Sequence, residues 1–385
     1  MIYIKYLLPA SIYIREKEFL SMSPSFIKGL ELSRRFFEEV IKEILKKHFP
    51  TVKYDAALVG PGSEVFGFDD HISTDHHWGP RLQLFLNEAD YEKYSHEIHS
   101  VLSEELPYTF LGYSTNWSQP DPEDSMTQLL EPISSGPINH RVEIYCLKAY
   151  LNKHLDIKSV ELSDIEWLML SEQRLLEFTS GQVFYSTLED LDKARTALSY
   201  FPDNVWYFKI MAEWDHIAEA SAFVGRTGML NDDLGSRIEA SKLIRHIIRL
   251  TFLLHKKYIP YSKWMTIDFS QFPIANQLKP ILIKILKEDD WRSRERLLCD
   301  AYLILIEKQN ELKITPKMAL KPGKYFSRDQ TVIPVDKIIL ELKKLVKPPL
   351  DRIKYSIGSI DHFIDDTHMM TDLKFTKKIL HLEEE

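Results

Sequence analysis

The sequence predicts an α+β protein: a small mixed-sheet domain followed by a larger all-helical domain. Three observations carry this. Short runs with strand-type alternation fall in the first part of the chain. From Ser163 onward, stretches with helical periodicity follow one another with no Gly/Ser linker. A length of 385 residues suits two domains that each bury a core.

Taken in order, the chain opens on an apolar stretch, Met1-Ile-Tyr-Ile-Lys5 through Ile12-Tyr-Ile14. It lacks the basic start and small-residue cleavage site of a leader peptide. It reads as an extension, residues 1–22, and Ser23-Pro24 opens the sheet domain, residues 23–155. Phe26 to His48 has helical periodicity and stops before Pro50. Tyr54 to Val59 reads as a strand, and Gly60-Pro-Gly62 as a turn leading into Ser63. Arg81 to Leu86 alternates like a strand, and Glu88 to Leu106 is an amphipathic helix. Pro107 to Pro137 is polar and rich in Pro, Ser and Asp, a long loop of the kind that is functional or mobile in compact domains. Arg141-Val-Glu-Ile-Tyr145 alternates again before a helix to about His154. Residues 156–385 form the helical domain, with Val205 to Phe223 and Asp233 to Tyr258 as its longest amphipathic stretches, which points to a helix bundle.

Composition excludes several classes. The net charge of −8 gives no basic footprint, so extensive nucleic-acid binding is not indicated. The two cysteines, Cys146 and Cys299, lie far apart without metal-ligand spacing, which suits a reducing cytoplasm rather than a disulfide framework. No apolar run approaches the length needed to cross a bilayer, so no membrane partner is expected.

The chemistry-bearing residues gather around Gly60-Pro-Gly62-Ser63. Glycine lets a backbone approach a phosphate closely, and a serine opening a helix would offer a hydroxyl beside unpaired N–H groups; a plain helix cap would use the same residue. Glu143 stands inside a short apolar strand, where a charge is costly unless it meets a metal or a partner. An edge glutamate facing solvent is the simpler alternative. Arg81 suits phosphate through its planar fork, and a structural salt bridge suits it equally.

The segment Val59-Gly-Pro-Gly-Ser-Glu-Val-Phe-Gly67, with Ser73-Thr-Asp-His-His77, resembles the active-site signature of polymerase-β-type nucleotidyltransferases. There a strand ends in Gly-Ser at a short helix, the next strand carries Asp-x-Asp, and a later strand adds a third carboxylate. This chain has Asp75-x-His77 instead, and Mg²⁺ prefers oxygen, so the histidine implies a weaker, Mn²⁺-tolerant or inactive site. Asp69 and Asp70 are close enough in sequence to stand in. Wider matches resemble a nucleotidyltransferase-like family known as domain of unknown function 4037. They are Gly67-Phe-Asp-Asp70, Asp75-His-His-Trp-Gly-Pro-Arg81, Trp167 to Leu176, Phe223-Val-Gly-Arg-Thr-Gly228, Leu234-Gly-Ser-Arg237, Pro260-Tyr-Ser-Lys-Trp264 and Gly358-Ser-Ile-Asp-His-Phe-Ile-Asp365.

The resemblance implies a metal-dependent transfer of a nucleoside monophosphate from a nucleoside triphosphate to a small hydroxylated acceptor. Asp75 and Glu143 would be catalytic. Mg²⁺ (or Mn²⁺) would sit on Asp75, Glu143 and Asp70 or His77. Gly62, Ser63, Arg81 and Lys263 would hold the nucleotide, Lys263 because related helical domains supply a phosphate-binding lysine; alternatively its stem packs on Trp264. A catalytically impaired nucleotide-binding or antitoxin-like regulator is the other implied reading. Arg237, Arg245 and Arg249 share one helix stripe, which is either a solvated face or a basic wall.

Overall fold

The computed structural model describes residues 26–75, 77–124, 126–362 and 364, without the side chain of Asp75; the extension 1–22 lies outside the described residues. The chain divides into two compact units. One takes the chain through Tyr150 together with Glu177–Lys193, and the other takes Leu151–Leu176 and the chain from Ala194 onward.

In the first unit, α1 (Gly29–Phe36) continues through a π turn (Phe37–Ile41) into α2 (Lys42–His48). Two strands follow, β1 (Tyr54–Leu58) and β2 (Arg81–Leu86), then α3 (Glu88–Glu105), which Asn87 caps by accepting the Asp90 N–H at 2.9 Å. The segment read from sequence as a long loop is organised. It contains the hairpin β3 (Thr109–Phe110) and β4 (Tyr113–Ser114) and two isolated bridges, Trp117 to Leu130 and Asp121 to Thr127. β5 (Arg141–Cys146) completes the part of the sheet that alternation revealed.

The sheet order is β5-β2-β1-β6, where β6 is Gln182–Tyr185. β2 runs antiparallel to β1 with Ala57 opposite Gln83, and parallel to β5 with Gln83 opposite Glu143. A parallel pair needs a crossover, and α3 lies within it. β6 was not expected, because almost everything from Ser163 onward reads as helical. Its four residues Gln-Val-Phe-Tyr have strand character, but a run this short is outweighed by helical sequence on both sides.

The period of two assigns the faces. Ala56, Leu82, Leu84, Leu86 and Val142 point into a core with Leu32, Phe36, Phe37, Ile98 and Leu102. The other face carries Arg81, Gln83, Phe85, Arg141, Glu143 and Tyr145. There the rings of Phe85 and Tyr145 meet Tyr150, each at 5.2 Å between centroids.

The remaining helices are α4 (Leu147–Leu155), α5 (Asp164–Leu168), α6 (Glu172–Thr179), α7 (Asp190–Ala197), α8 (Asp203–Ser221), α9 (Phe223–Met229), α10 (Asp233–Leu254), α11 (Ser262–Phe269), α12 (Ala275–Lys287), α13 (Trp291–Leu312) and α14 (Asp336–Lys343). A small hairpin, β7 (Gly323–Lys324) with β8 (Thr331–Val332), precedes α14. In the second unit most of α8 and the second half of α10 are buried. A fully buried Arg294 ties α13 to α10 through the Ser236 hydroxyl and the Asp233 carboxylate, each at 2.5 Å. The fold is therefore a mixed four-stranded sheet with a large helical complement, as the sequence indicates. No helix among the described residues is long and apolar enough to cross a membrane.

Leu84 is fully buried at the centre of the sheet's apolar face. Leu84→Ala should cost about 2–5 kcal/mol in urea denaturation, against roughly ±0.5 kcal/mol for an exposed control such as Lys46→Ala.

Candidate functional site

Three backbone ends meet at one edge of the sheet: the end of β1 and the starts of β2 and β5. The loop that leaves β1 is shaped by a buried ion pair. Arg81, at the first position of β2, donates through Nε and Nη2 to Glu64 Oε1 at 2.8 and 2.6 Å, and through Nη2 to the Pro61 carbonyl at 2.6 Å. Both side chains are 3% exposed. Gly62 adopts φ +142, and a Cβ there would lie 2.4 Å from Arg81 Nη2 and 2.5 Å from Glu64 Oε2. The position therefore requires glycine on two counts.

No helix follows Ser63. The Ser63 carbonyl accepts the Phe66 N–H at 3.2 Å and the Phe68 N–H at 2.9 Å, so the chain makes one turn and reverses. Asp75 likewise lies on a 3-10 turn, Ser73–Asp75, rather than at a strand position. These two points correct the expectation of a helix at Ser63 and of Asp75 and His77 as alternate strand residues. Whether the Asp75 carboxylate meets Glu143 lies outside the described residues.

Glu143 is where the alternation places it. It is partly buried; Gln83 donates to one carboxylate oxygen at 3.2 Å and the Tyr145 hydroxyl to the other at 3.3 Å. Gln83 also accepts the Val59 N–H at 3.0 Å, so one amide side chain links the loop to the carboxylate. Burial and then the Glu143 charge push the Tyr145 phenol upward, which keeps it a neutral donor.

The remaining expected residues hold other positions. Asp70 is exposed and accepts from the Ile72 and Ser73 N–H groups and the Ser73 hydroxyl, bonds that lower its pKa, the Ile72 N–H first. Asp69 is buried and accepts from the Gly29 N–H at 2.7 Å and Trp78 Nε1 at 3.1 Å, fixing the start of α1. Trp78 is correspondingly core, 2% exposed. His77 has φ 52, and its Nδ1 lies 2.8 Å from Arg141 Nη1, so it accepts from a guanidinium. Arg141 also lies 5.0 Å from the Trp117 ring; burial first, then Arg81, lowers its pKa to about 10. Lys263 is exposed on α11 with its ammonium 5.0 Å from the Trp264 ring. The arginine stripe divides: Arg237 pairs with Asp233 and Asp289, while Arg249 is buried.

A divalent ion would need several hard oxygen ligands at this edge. Among the described residues no group of three or more His, Cys, Asp or Glu side chains is placed to hold one. Glu143 fits as a single oxygen ligand. His77 Nδ1 does not, since that lone pair already faces a cation.

Residues 167–265 match the family described as Domain of unknown function (DUF4037), which bears out the resemblance read from sequence over that span. A nucleotidyltransferase-like protein from Exiguobacterium sibiricum 255-15, known from a crystal structure, is similar at 10% identity and a TM-score of 0.30. That likeness covers 82% of this chain and 89% of that one. No curated protein matches the chain.

The Arg81–Glu64 pair yields a direct test. Arg81→Met leaves a carboxylate buried without its partner and should cost about 3–5 kcal/mol, whereas Glu64→Leu with Arg81→Met should regain most of it in urea denaturation.

His140, just before β5, yields another. Its ring accepts the Val142 N–H at Nδ1 and lies 3.1 Å from the His99 carbonyl at Nε2, so the neutral ring satisfies both nitrogens. Burial lowers its pKa to about 4. The unfolded chain, with an ordinary histidine near 6.5, binds the proton first. Stability is thus complete above roughly pH 6.5 and falls toward pH 4, by about 3 kcal/mol at most. His140→Gln should lessen the fall of urea midpoints over that pH range without abolishing it, since burial holds His362 equally low.

Proposed function

We propose that the chain binds a nucleoside triphosphate at the sheet edge where β1 ends and β2 and β5 begin, and transfers its nucleoside monophosphate to the hydroxyl of a small acceptor. One observation carries this reading. Gln83 joins the Val59 N–H, at the mouth of the Gly60-Pro-Gly62-Ser63 loop, to the Glu143 carboxylate. The acid is thereby held next to the backbone that would receive the phosphates.

In this reading the acceptor oxygen attacks the α-phosphorus, the bond to the β-phosphate breaks, and pyrophosphate leaves. The acceptor proton passes to Glu143, the carboxylate partly open to solvent at this edge. Arg81 acts here by holding Glu64 and Pro61, which fixes the loop that Gly62 and Ser63 form. A divalent ion, Mg²⁺ or Mn²⁺, would take Glu143 and Asp75 as oxygen ligands and would neutralise triphosphate charge.

A second reading, nucleotide binding without transfer, is favoured by the contact between Arg141 and His77. It puts a guanidinium where the resembled signature has its second acid.

The two separate with one variant. Each labelled nucleoside triphosphate is incubated with Mg²⁺ or Mn²⁺ and a mixture of small hydroxylated compounds, and labelled products are counted. Glu143→Gln should lower transfer by about 10²–10⁴-fold, while triphosphate binding measured without a divalent ion stays unchanged. Transfer at the wild-type rate would remove Glu143 from catalysis. Binding with no transfer by the wild-type protein would leave the second reading.

A further inference from the structure

One motif of the sequence, Phe223-Val-Gly-Arg-Thr-Gly228, takes no part at the sheet edge. It forms α9, and two glycines inside a helix of seven residues are unfavourable on propensity alone. The structure shows what each makes room for. A Cβ at Gly228 would lie 2.3 Å from the Trp291 ring, and one at Gly225 would lie 2.1 Å from Glu295 Oε1 and 2.8 Å from Gln330 Cγ. Two polar side chains, one from α13 and one from the loop of the β7–β8 hairpin, therefore converge on the bare face of α9.

Both are buried, Glu295 at 2% exposure and Gln330 at 3%. Glu295 Oε2 accepts the Thr331 N–H at 3.1 Å, and the Cys299 thiol donates to the Thr331 carbonyl at 3.8 Å, so β8 is pinned to α13 on both sides of one residue. The remaining two oxygens are different. Glu295 Oε1 and Gln330 Oε1 are buried and, among the described residues, neither has a hydrogen-bond partner. Turning the Gln330 amide over only moves the deficit. Its nitrogen donates to Met229 Sδ, and a thioether has no proton to give an oxygen put in that place. Buried acceptors left without a donor are costly, and a proton on the carboxyl group would serve both oxygens at once.

The charges around Glu295 oppose one another. Arg292 and Arg296 on α13 favour the carboxylate, and Asp329 in the hairpin, itself 3.5 Å from Arg292, disfavours it. α9 faces it with Gly225, the neighbouring Arg226 lying over the Phe223 ring. The Cys299 thiol, pushed up to about 12 by burial and then by the Glu295 charge, stays neutral. Burial outweighs the Thr331 N–H and raises the Glu295 pKa to about 7.

We propose that Glu295 is a proton-operated latch for the β7–β8 hairpin. In the acid form its Oε1–H donates to Gln330 Oε1 while Oε2 accepts the Thr331 N–H, which fastens the hairpin to α13 over the bare face of α9. When the proton leaves to solvent, both Oε1 atoms lack a donor and the hairpin loosens. The folded chain holds this proton to about pH 7, the unfolded chain only to about 4.5. The latch's contribution is therefore complete below roughly pH 4.5 and is lost as pH rises through 7. No residue of the sheet edge takes part, so the latch is independent of the nucleotide reading.

The test is hydrogen exchange by mass spectrometry on the full chain at pH 6 and pH 8, corrected for the intrinsic pH dependence of exchange, with α8 peptides as the reference for global opening. Protection of the peptide containing Thr331 should fall about tenfold at pH 8 relative to α8. Glu295→Gln offers an amide N–H to Gln330 and an oxygen to the Thr331 N–H, so it keeps both bonds without a titrating proton. It should lose the pH dependence and, at pH 8, protect the hairpin better than the wild type does. Equal wild-type protection at the two pH values would overturn the proposal. So would a Glu295→Gln protein that still loses protection at pH 8, or one less protected there than the wild type.

Discussion

The edge of the sheet depends on one buried charge pair. A guanidinium and a carboxylate withdrawn from water repay their lost hydration only when geometry is close and the remaining donors are filled. Arg81 and Glu64 meet that condition with two hydrogen bonds to Glu64 Oε1, and the Pro61 carbonyl takes a further donor contact. The rest of the loop follows. Gly62 has to leave space for both groups, the chain has to turn sharply after Ser63, and β2 has to start with its first side chain pointed back at the end of β1. Such a pair contributes little net stability over an apolar replacement. What it supplies is a single arrangement of the loop, which matters most for residues that have chemistry to perform.

The helical unit solves a similar problem with more charges. Lys209 and Glu172 are buried together, and each is also tied to backbone or hydroxyl partners, so neither is left without compensation. Beside them Glu213 stands between two imidazoles, His246 at 2.8 Å and His362 at 2.5 Å, with His216 stacked against both. Buried polar groups of this density fix the register of helices α6, α8 and α10 against the 358–362 segment. An apolar interface could slide. This one cannot without breaking several hydrogen bonds at once. Arg249 belongs to the same layer, bonded to the Asp361 carbonyl and attracted by the Asp361 carboxylate.

Much of this was legible in the chain. β1, β2 and β5 declare themselves by their strand-type alternation, which also marks Glu143 as a charge within a strand; that it lies opposite Gln83 comes only from the parallel pairing of β2 with β5. α8 and α10 follow from helical periodicity. The failures have physical causes. β6 is too short for periodicity to register, and its partner β1 lies more than a hundred residues earlier. The helix expected at Ser63 gives way because Arg81 and Glu64 demand a tight reversal, and a partner seventeen residues away is invisible to local propensity. The stripe of Arg237, Arg245 and Arg249 was read from spacing, but spacing cannot say that α10 is exposed at its start and buried over its second half. A surface ion pair at Arg237 and a buried guanidinium at Arg249 look alike in sequence. Motifs around Glu172, Pro260 and Ser359 were visible as motifs, and only the fold shows that they meet.

The histidine at position 77 gains a meaning from its neighbour. A carboxylate there would pair with Arg141 and cancel its charge. A neutral imidazole accepting through Nδ1 satisfies the guanidinium's hydrogen-bonding need and leaves its charge in place. Among the described residues Arg141 forms no ion pair with a carboxylate, and the Trp117 ring on its flank is electrostatically attractive but uncharged. Glu143 on the same face and Glu64 meet the Arg141 charge through space rather than by a direct ion pair. An acid restored at position 77 would bond Arg141 directly and occupy its donors, so under the proposed reading the histidine leaves that guanidinium able to turn to another anion.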